Sequence, residues 1–415
     1  MKLKYAYKGI SKNFIFTVLI IMQLVFAFIC IYQNLDFTNK VSKDYDQFKK
    51  IFGEYKVYKL ELVSSPNKFL DKPTENLEKC FSYLQCSPEY SFCGISKWGL
   101  YIEKFKGDLE PFRETNYDMN ENQKELFCAK NYILDKISVE KFPIKLYEGR
   151  GFQQEEFQVS YGNDKAIPIL VGYNYKKYFN IGDEITYHRD QNVLARAKIV
   201  GIIKENQVIP GNLMSAESKY LNLNNYIITT DSVNKSEKSM YFQKFVGNYM
   251  LFNKEATKQQ IEESTENIKN VFEKNADIKV GLRNLNDDVS AEKEIFKEQN
   301  KIALGTSIIV IIFVSITIVI SLLNSIINRK QEFMIHILNG ATLKDISIII
   351  YLEIFIMLIV SYIISIPFIF KFQHSQSKFL LIISFFIMII LSFLIAFIPV
   401  LKISNLKISE LIKGE

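Results

Sequence analysis

Cysteines are the most reactive side chains of this sequence, and four of the five fall within one subregion. These are Cys80, Cys86, Cys93 and Cys128. If the subregion lies outside the cytoplasm, as the topology below predicts, the four thiols can form disulfides in three different pairings. Their clustering predicts at least one bridge, and the alternative is a set of small buried thiols. A zinc site is not expected, because the chain has only 3 histidines and none lies near these cysteines in sequence.

Motifs of the common catalytic and nucleotide-binding sites are missing. The sequence contains no GxSxG, HExxH or CxxC and no GxxxxGK[ST] phosphate loop. His188 and His336 have no obvious partner, and the acidic residues of the central region are scattered among lysines. We therefore expect a non-catalytic chain with no metal and no cofactor of its own. The net charge of +6, from 51 basic and 45 acidic residues, is too modest to indicate nucleic-acid binding.

Four apolar segments explain how a chain with a mean hydropathy of only +0.03 is organised. Each has the roughly 20 residues that a helix needs to cross a bilayer. The predicted transmembrane helices cover residues 13–35, 302–328, 346–370 and 379–401. Residues 1–12 precede the first helix and contain Lys2, Lys4, Lys8 and Lys12 without an acid, which favours a cytoplasmic N-terminus.

Four crossings then assign a side of the membrane to each connecting segment. Residues 36–301 and the turn 371–378 are expected outside, and residues 329–345 and the tail 402–415 in the cytoplasm. The long outer interval mixes strand-like and helix-like patterns, with a helix at each junction to the membrane. The predicted fold class is an α-helical membrane protein with four transmembrane helices and a mixed α+β extracytoplasmic domain. The order of elements in residues 64–130 is not readable.

The segment 329–345 is longer and more structured than a bare connection requires. In NRKQEFMIHILNGATLKDI, residues Phe333, Ile337 and Leu338 recur at helical spacing among charged side chains. Gly340 is placed to end this helix, and Thr342 has the capping-box spacing for the next one. The pattern predicts an amphipathic helix at the inner membrane surface. It either docks onto a cytoplasmic partner or only floats on the lipid.

One ionisable residue, Glu353, lies about two turns into the third predicted transmembrane helix. A charge at that depth costs about 2.5–3.5 kcal/mol on insertion scales, so we expect it to have a partner or to be protonated. Two interpretations stay open. The carboxyl either bonds to a neighbouring helix for structural reasons or takes part in a moving contact or a polar path.

The order of these features resembles the MacB/FtsX-like ABC transporter permeases. The family's inner loop has basic residues, a glutamate, a short apolar stretch and an Ala-x-Gly-Ala-Thr sequence, which Arg329, Lys330, Glu332, Gly340, Ala341 and Thr342 match. Leu338 stands where the alanine is usual, and His336 where an apolar residue is usual. Glu353 matches an acid that is common in the family's third crossing.

Further stretches carry the same resemblance along the chain. AYKGISKNFIFTVL is similar to the family's basic entry helix, and IPVLKISNLKISELIKGE to its closing signature. FPIKLYEGRGFQQEE and PILVGYNYKKYFNIGDEITY are similar to segments of its extracytoplasmic domain. Residues 64–130, which contain the four clustered cysteines, match nothing in the family pattern.

The resemblance implies partners that this chain does not contain. A separate cytoplasmic ABC ATPase would bind ATP and Mg, and a second permease copy, identical or different, would complete the membrane part. The coupling residues would be those of the inner loop, with Phe333, His336, Leu338 and Gly340 at the docking surface. The expected location is the bacterial cytoplasmic membrane.

Two functions remain open under this resemblance. The first is export or mechanotransmission acting on peptides, antimicrobial compounds or lipoproteins, with a substrate or accessory protein bound outside. The second is a signalling module that controls an extracellular cell-wall hydrolase. The length of residues 36–301 favours the first function.

Overall fold

Long apolar helices and a separate set of short strands divide the computed structural model into two units. The structure describes residues 2–12, 14–63, 72–105, 107–108, 110–114, 126–158, 166–188, 194–213, 219–231, 244–372 and 377–404. Residues 1–43 and 292–415 form one compact unit, called here the membrane unit. Residues 44–291 form the other, called the α+β unit.

The helices include both very long and very short members. Helices α1 to α9 span Lys2–Lys12, Phe14–Phe52, Thr74–Gln85, Lys136–Lys141, Lys258–Ala276, Leu285–Asn328, Lys330–Leu338, Leu343–Phe372 and Lys378–Ser404. Four of them, α2, α6, α8 and α9, are long and apolar enough to cross a membrane. The predicted fold class, with its four transmembrane helices, is confirmed. Helix α6 runs unbroken through the second apolar segment, as the absence of a helix breaker predicts.

Apolar side chains cover both the inside and the outside of the membrane unit. Leu24, Phe28, Ile318 and Leu358 pack in its interior, whereas side chains such as Phe313 point outward and are exposed. A helix bundle that is apolar on all sides is typical of a bilayer environment, because lipid replaces water around it.

A four-stranded sheet forms one part of the α+β unit. Strands β1 (Tyr55–Leu62), β2 (Tyr90–Cys93), β14 (Tyr249–Asn253) and β15 (Val280–Asn284) pair in the order β15-β1-β14-β2, all antiparallel. Helices α3 and α5 share a buried apolar core with this sheet. Helix α5 begins with a capping box formed by Thr257 and Gln260.

A nine-stranded sheet forms the other part. Its path is β3-β6-β13-β8-β10-β9-β4-β5, and β7 pairs with β10. The strands span Ile95–Lys97 (β3), Leu100–Ile102 (β4), Phe127–Ala129 (β5), Asn131–Leu134 (β6), Leu146–Gly149 (β7), Ile167–Val171 (β8), Glu184–His188 (β9), Leu194–Ile203 (β10) and Ile227–Thr230 (β13). A small pair, Val208–Pro210 (β11) and Tyr220–Asn222 (β12), stands apart. Strand β8 is buried on both faces and runs parallel to β10, which explains its continuous apolar sequence.

A buried carboxylate holds the chain where it passes from one sheet to the other. Asp135 accepts hydrogen bonds from the backbone N–H of Gly94 (2.9 Å) and of Ser138 (2.7 Å). It caps the short helix α4 and fixes Gly94, the residue between β2 and β3. Burial raises the pKa of Asp135 to about 6, although the hydrogen bonds from Ser138 and Gly94 oppose this shift.

The disulfide predicted from the cysteine cluster is not found. All five cysteines lie within the described residues, and each is a free thiol. Cys80 lies on α3 and packs in the core that this helix shares with the four-stranded sheet. Cys93 belongs to a different core, and Cys86 is exposed at the end of α3. Cysteines that are close in sequence therefore lie in different parts of the fold. Burial raises the pKa of Cys80 and of Cys128 to about 11, which keeps both thiols protonated at neutral pH.

Candidate functional site

The segment between the second and third membrane helices, residues 329–345, forms a short helix between two sharp turns. Helix α6 ends at Asn328, α7 covers Lys330–Leu338, and Gly340 then takes a positive φ of 92°. At that φ a glycine carries no Cβ penalty, so the chain can reverse directly after the helix. The predicted helix end at Gly340 is confirmed. We call residues 329–345 the coupling segment.

The next helix starts with the predicted capping box. The backbone N–H of Thr342 donates to Asp345 Oδ2 at 2.8 Å, and the N–H of Asp345 donates to Thr342 Oγ1 at 3.3 Å. Ala341 lies between the two turns, and its N–H donates to the carbonyl of His336. Both ends of the coupling segment are thus fixed by hydrogen bonds, so the segment is a defined structural element.

Arg329, the first residue of the coupling segment, is buried although it is charged. Its side chain is 2% exposed, and Nη1 donates to Glu353 Oε1 at 2.6 Å. Glu332 accepts a weaker hydrogen bond from Nε at 3.3 Å. Glu353 itself is 5% exposed. The partner expected for Glu353 is therefore the arginine of the family motif, and the pair ties the coupling segment to α8.

Helix α1 covers this ion pair through a glycine. A Cβ on Gly9 would overlap Glu353 Oε1 and Arg329 Nη1 and would stand 2.7 Å from Arg329 Cζ. No larger residue fits unless α1 moves or the ion pair rearranges. The N-terminal helix, the coupling segment and α8 thus meet at three residues, Gly9, Arg329 and Glu353. We call this meeting point the charged junction.

Three further contacts hold α1 on the coupling segment. Lys2 Nζ lies 2.7 Å from Asp345 Oδ1, and Lys12 Nζ lies 3.8 Å from Glu332 Oε2. Between them the rings of Tyr5 and His336 meet edge to face, with centroids 4.4 Å apart. The lysines of α1 predicted a cytoplasmic N-terminus, but the sequence did not show that Lys2 and Lys12 contact carboxylates of the coupling segment. The one available signal was Gly9, a lone glycine inside a short basic helix.

The predicted docking residues separate into buried and exposed ones. Phe333 is 4% exposed and packs in the bundle core, with the Arg329 guanidinium 4.9 Å from its ring centroid. Its prediction as a docking residue is therefore wrong, since the side chain faces the chain's own helices. His336 is half-buried against Tyr5. The sequence could not tell which apolar stripe of α7 faced inward.

The exposed face of α7 consists of other side chains. Leu338 is 71% exposed and Ile335 is 56% exposed, and Gln331 continues the same face one turn earlier. Gly340 is exposed at the end of this face, and Lys330 and Ala341 are partly buried. A partner approaching the coupling segment would therefore meet Gln331, Ile335 and Leu338.

Among the described residues, no group of three or more His, Cys, Asp or Glu side chains is placed to hold a metal ion. In the charged junction Arg329 donates to Glu353, and it also donates to Glu332 beside the junction, so both carboxylates already have a partner. Together, the four long apolar helices and the capped segment between two of them define a multi-pass membrane protein.

The family follows from a sequence match. Residues 304–408 match the family model described as FtsX-like permease C-terminal. This range includes all of α7, α8 and α9, more than half of α6, and the Arg329–Glu353 pair. Residues 304–408 are therefore similar to the C-terminal part of FtsX-like permeases, which confirms the resemblance to MacB/FtsX-like permeases for this part of the chain.

Two solved structures have weaker similarity to the chain. The extracellular domain of YknZ, a noncanonic ABC-type transporter from Gram-positive bacteria, is 10% identical with a TM-score of 0.32, and the match covers 55% of this chain and 100% of that one. The periplasmic region of MacB from Actinobacillus actinomycetemcomitans is 10% identical with a TM-score of 0.33, covering 60% of this chain and 95% of that one. No curated protein matches the sequence. The family assignment accordingly depends on residues 304–408.

Proposed function

We propose that this chain is the permease subunit of an ABC transporter, driven by ATP hydrolysis in a separate cytoplasmic ATPase. Its N- and C-termini and the coupling segment face the cytoplasm, and the α+β unit lies outside. Two permease copies act together, and their α+β units move to export or act on peptides, antimicrobial compounds or lipoproteins. The observation that carries the proposal is the charged junction, because it joins the segment available to an ATPase to the membrane helices.

The exposed face of α7 is the contact for the ATPase in this proposal. Ile335 and Leu338 are large apolar side chains that the described part of the chain leaves uncovered, and a partner that buries both gains about 25 cal/mol per Å² of apolar surface. The same short helix begins beside Arg329, whose guanidinium is bonded to Glu353 of α8. A push on Leu338 therefore reaches α8 through a buried charged contact that cannot slide freely.

Helices α2 and α6 are the elements that would carry motion away from the junction. Thr38 Oγ1 donates to Asn300 Oδ1 at 3.0 Å, and Asn34 donates to Ser307. The ring of Phe37 on α2 also packs on the ring of Phe296 on α6, with centroids 5.6 Å apart. Because each helix is unbroken and the two are bonded side by side, they would move as a pair.

The docking face is tested by placing charge on it. We expect Ile335→Asp with Leu338→Asp to abolish co-purification with the cognate ATPase, since two carboxylates would be buried without partners. The chain should still insert into the membrane, because both side chains are exposed in the free protein. Association is measured by pull-down of the ATPase with the tagged full chain from detergent extracts.

Ser11→Asp provides the control, because Ser11 is exposed on α1 and lies off the α7 face. This variant should retain the ATPase. Phe333→Asp is not a clean test, because it would place a charge in the bundle core. If the Ile335 and Leu338 variant keeps the ATPase at wild-type level, this face is not the docking surface and the proposed coupling fails.

A further inference from the structure

A cavity of about 700 Å³ opens within the α+β unit. Its wall combines the last turns of α2, the start of β1, the residues before and within the first turn of α5, and the first turns of α6. Its volume is in the range of pockets that hold small molecules in proteins. Nothing in the coupling function described above uses this cavity.

Aromatic rings form the apolar part of the wall. Phe48 of α2 and Tyr55 and Tyr58 of β1 line the cavity, and the ring of Phe48 packs on the buried ring of Phe52, with centroids 5.2 Å apart. Ile261 of α5 also lines the wall. Rings and aliphatic side chains in this arrangement present a surface that suits a hydrocarbon chain.

Positive charge surrounds the aromatic surface. Lys49, Lys56, Lys254 and Lys258 line the cavity, whereas Asp287 is the one acidic residue of the wall in the described part of the chain. Asp287 accepts a hydrogen bond from Asn284 at 2.8 Å, so one of its carboxylate oxygens already has a partner.

The four lysines are not equally available to a ligand. Lys56 Nζ donates to the carbonyl of Ala256 at 2.6 Å, and Lys258 lies 3.6 Å from Glu262. Lys49 and Lys254 are exposed and form no ion pair with any residue that the structure describes. These two ammonium groups are free to meet an anion at the mouth of an aromatic cavity.

We propose that this cavity binds a single-chain anionic amphiphile, with the hydrocarbon chain along Phe48, Tyr55 and Tyr58 and the anionic group at Lys49 and Lys254. A cation would meet net positive charge, and a purely polar anion would leave the rings unused. The chemistry required is a carboxylate or phosphate on an apolar tail, as a fatty acid or a lysophospholipid carries. The proposal concerns binding alone and does not depend on ATPase coupling.

Binding of dansyl-labelled undecanoic acid tests the proposal. The full chain is placed in nanodiscs of zwitterionic lipid, the signal of empty nanodiscs is subtracted, and unlabelled lauric acid serves as competitor. We expect saturable binding, with Lys49→Glu plus Lys254→Glu raising Kd at least about tenfold. Ser290→Trp fills the cavity without changing charge and should also weaken binding.

Lys79→Glu plus Lys274→Glu is the matched control, since both lysines are exposed on the same unit and neither lines the cavity. This variant should bind like wild type. Equal weakening in the control would mean unspecific charge attraction and would overturn the proposal. So would equal competition by the methyl ester of lauric acid, or by an acidic peptide that lacks a hydrocarbon chain.

Discussion

Arg329 and Glu353 are opposite charges that the fold removes from water and pairs at 2.6 Å. Such a pair adds little net stability, because desolvation offsets most of the attraction, but removing one partner leaves a buried charge. Its value is therefore positional. The pair determines how the start of the coupling segment lies on α8, and both of its members match positions of the family pattern.

Removing one member of this pair should destabilise the protein more than replacing both members with apolar residues. We expect Glu353→Ala to destabilise the purified full chain by about 3–5 kcal/mol, because Arg329 stays buried and keeps only its weaker contact with Glu332. Arg329→Met with Glu353→Leu should recover most of that loss. The measurement is the thermal midpoint of size-exclusion recovery in detergent. A double variant as unstable as the sum of the two single variants would show that the charges do not act as a pair.

Asp135 gives the α+β unit a pH dependence of its own. Its pKa is raised from 3.8 to about 6, so between these values the folded state binds the proton and the unfolded state does not. Stability contributed by this group is thus fully present below about pH 4 and is lost as pH rises to about 6, on the order of 3 kcal/mol in total. Asp135→Asn should remove this slope, because the amide does not titrate.

Trp98 makes this change measurable, since it is the single tryptophan of the chain and lies in the α+β unit. Urea unfolding of the full chain is followed by its fluorescence from pH 4 to 7. As pH rises through that interval, the free energy of unfolding of the wild type should fall relative to that of Asp135→Asn, and the difference should then level off. Parallel pH profiles for the two proteins would contradict the assignment.

Helix α1 is held by contacts at both ends and by a glycine in the middle. Lys2 and Lys12 reach carboxylates of the coupling segment, and Gly9 allows the backbone to lie against the charged pair. The helix therefore acts as a cover for the junction. Any movement of the coupling segment that shifts Glu332 or Asp345 also displaces α1.

Gly9→Ala should release this cover. The added Cβ overlaps the ion pair, so we expect amide hydrogen exchange in residues 2–12 to become about tenfold faster or more. Gly305→Ala is the matched control, because a Cβ there meets nothing within 4 Å. Exchange is measured by mass spectrometry on the full chain. Unchanged protection of residues 2–12 in the Gly9 variant would mean that α1 does not depend on close approach.

Local signals in the sequence were sufficient for elements but not for their contacts. Hydropathy gave the four long helices, and Gly340 and Thr342 gave the end of one helix and the start of the next. The burial of Phe333 was not readable, because α7 is apolar on more than one side and the sequence does not say which side meets the bundle. The grip of α1 on the coupling segment was missed for a similar reason, since its partners lie more than 300 residues away.

Long-range pairing also limits what could be predicted for the α+β unit. Strand β6 is parallel to β13, and their paired residues, such as Ile227 with Asn131, are separated by much of the unit. A period-two pattern shows that a strand exists but does not identify its neighbour. The disulfide predicted from the cysteine cluster was wrong for the same reason, because cysteines that are close in sequence lie in different parts of the fold.

The distribution of thiols has a practical consequence for observing the assembled transporter. Three of the five cysteines are buried, Cys30 lies partly covered on the first membrane helix, and Cys86 is exposed. A maleimide spin label should therefore attach selectively at Cys86 without any engineered site. In the proposed complex of two copies of this chain with an ATPase, pulsed electron paramagnetic resonance would then report the distance between the two α+β units, with and without nucleotide.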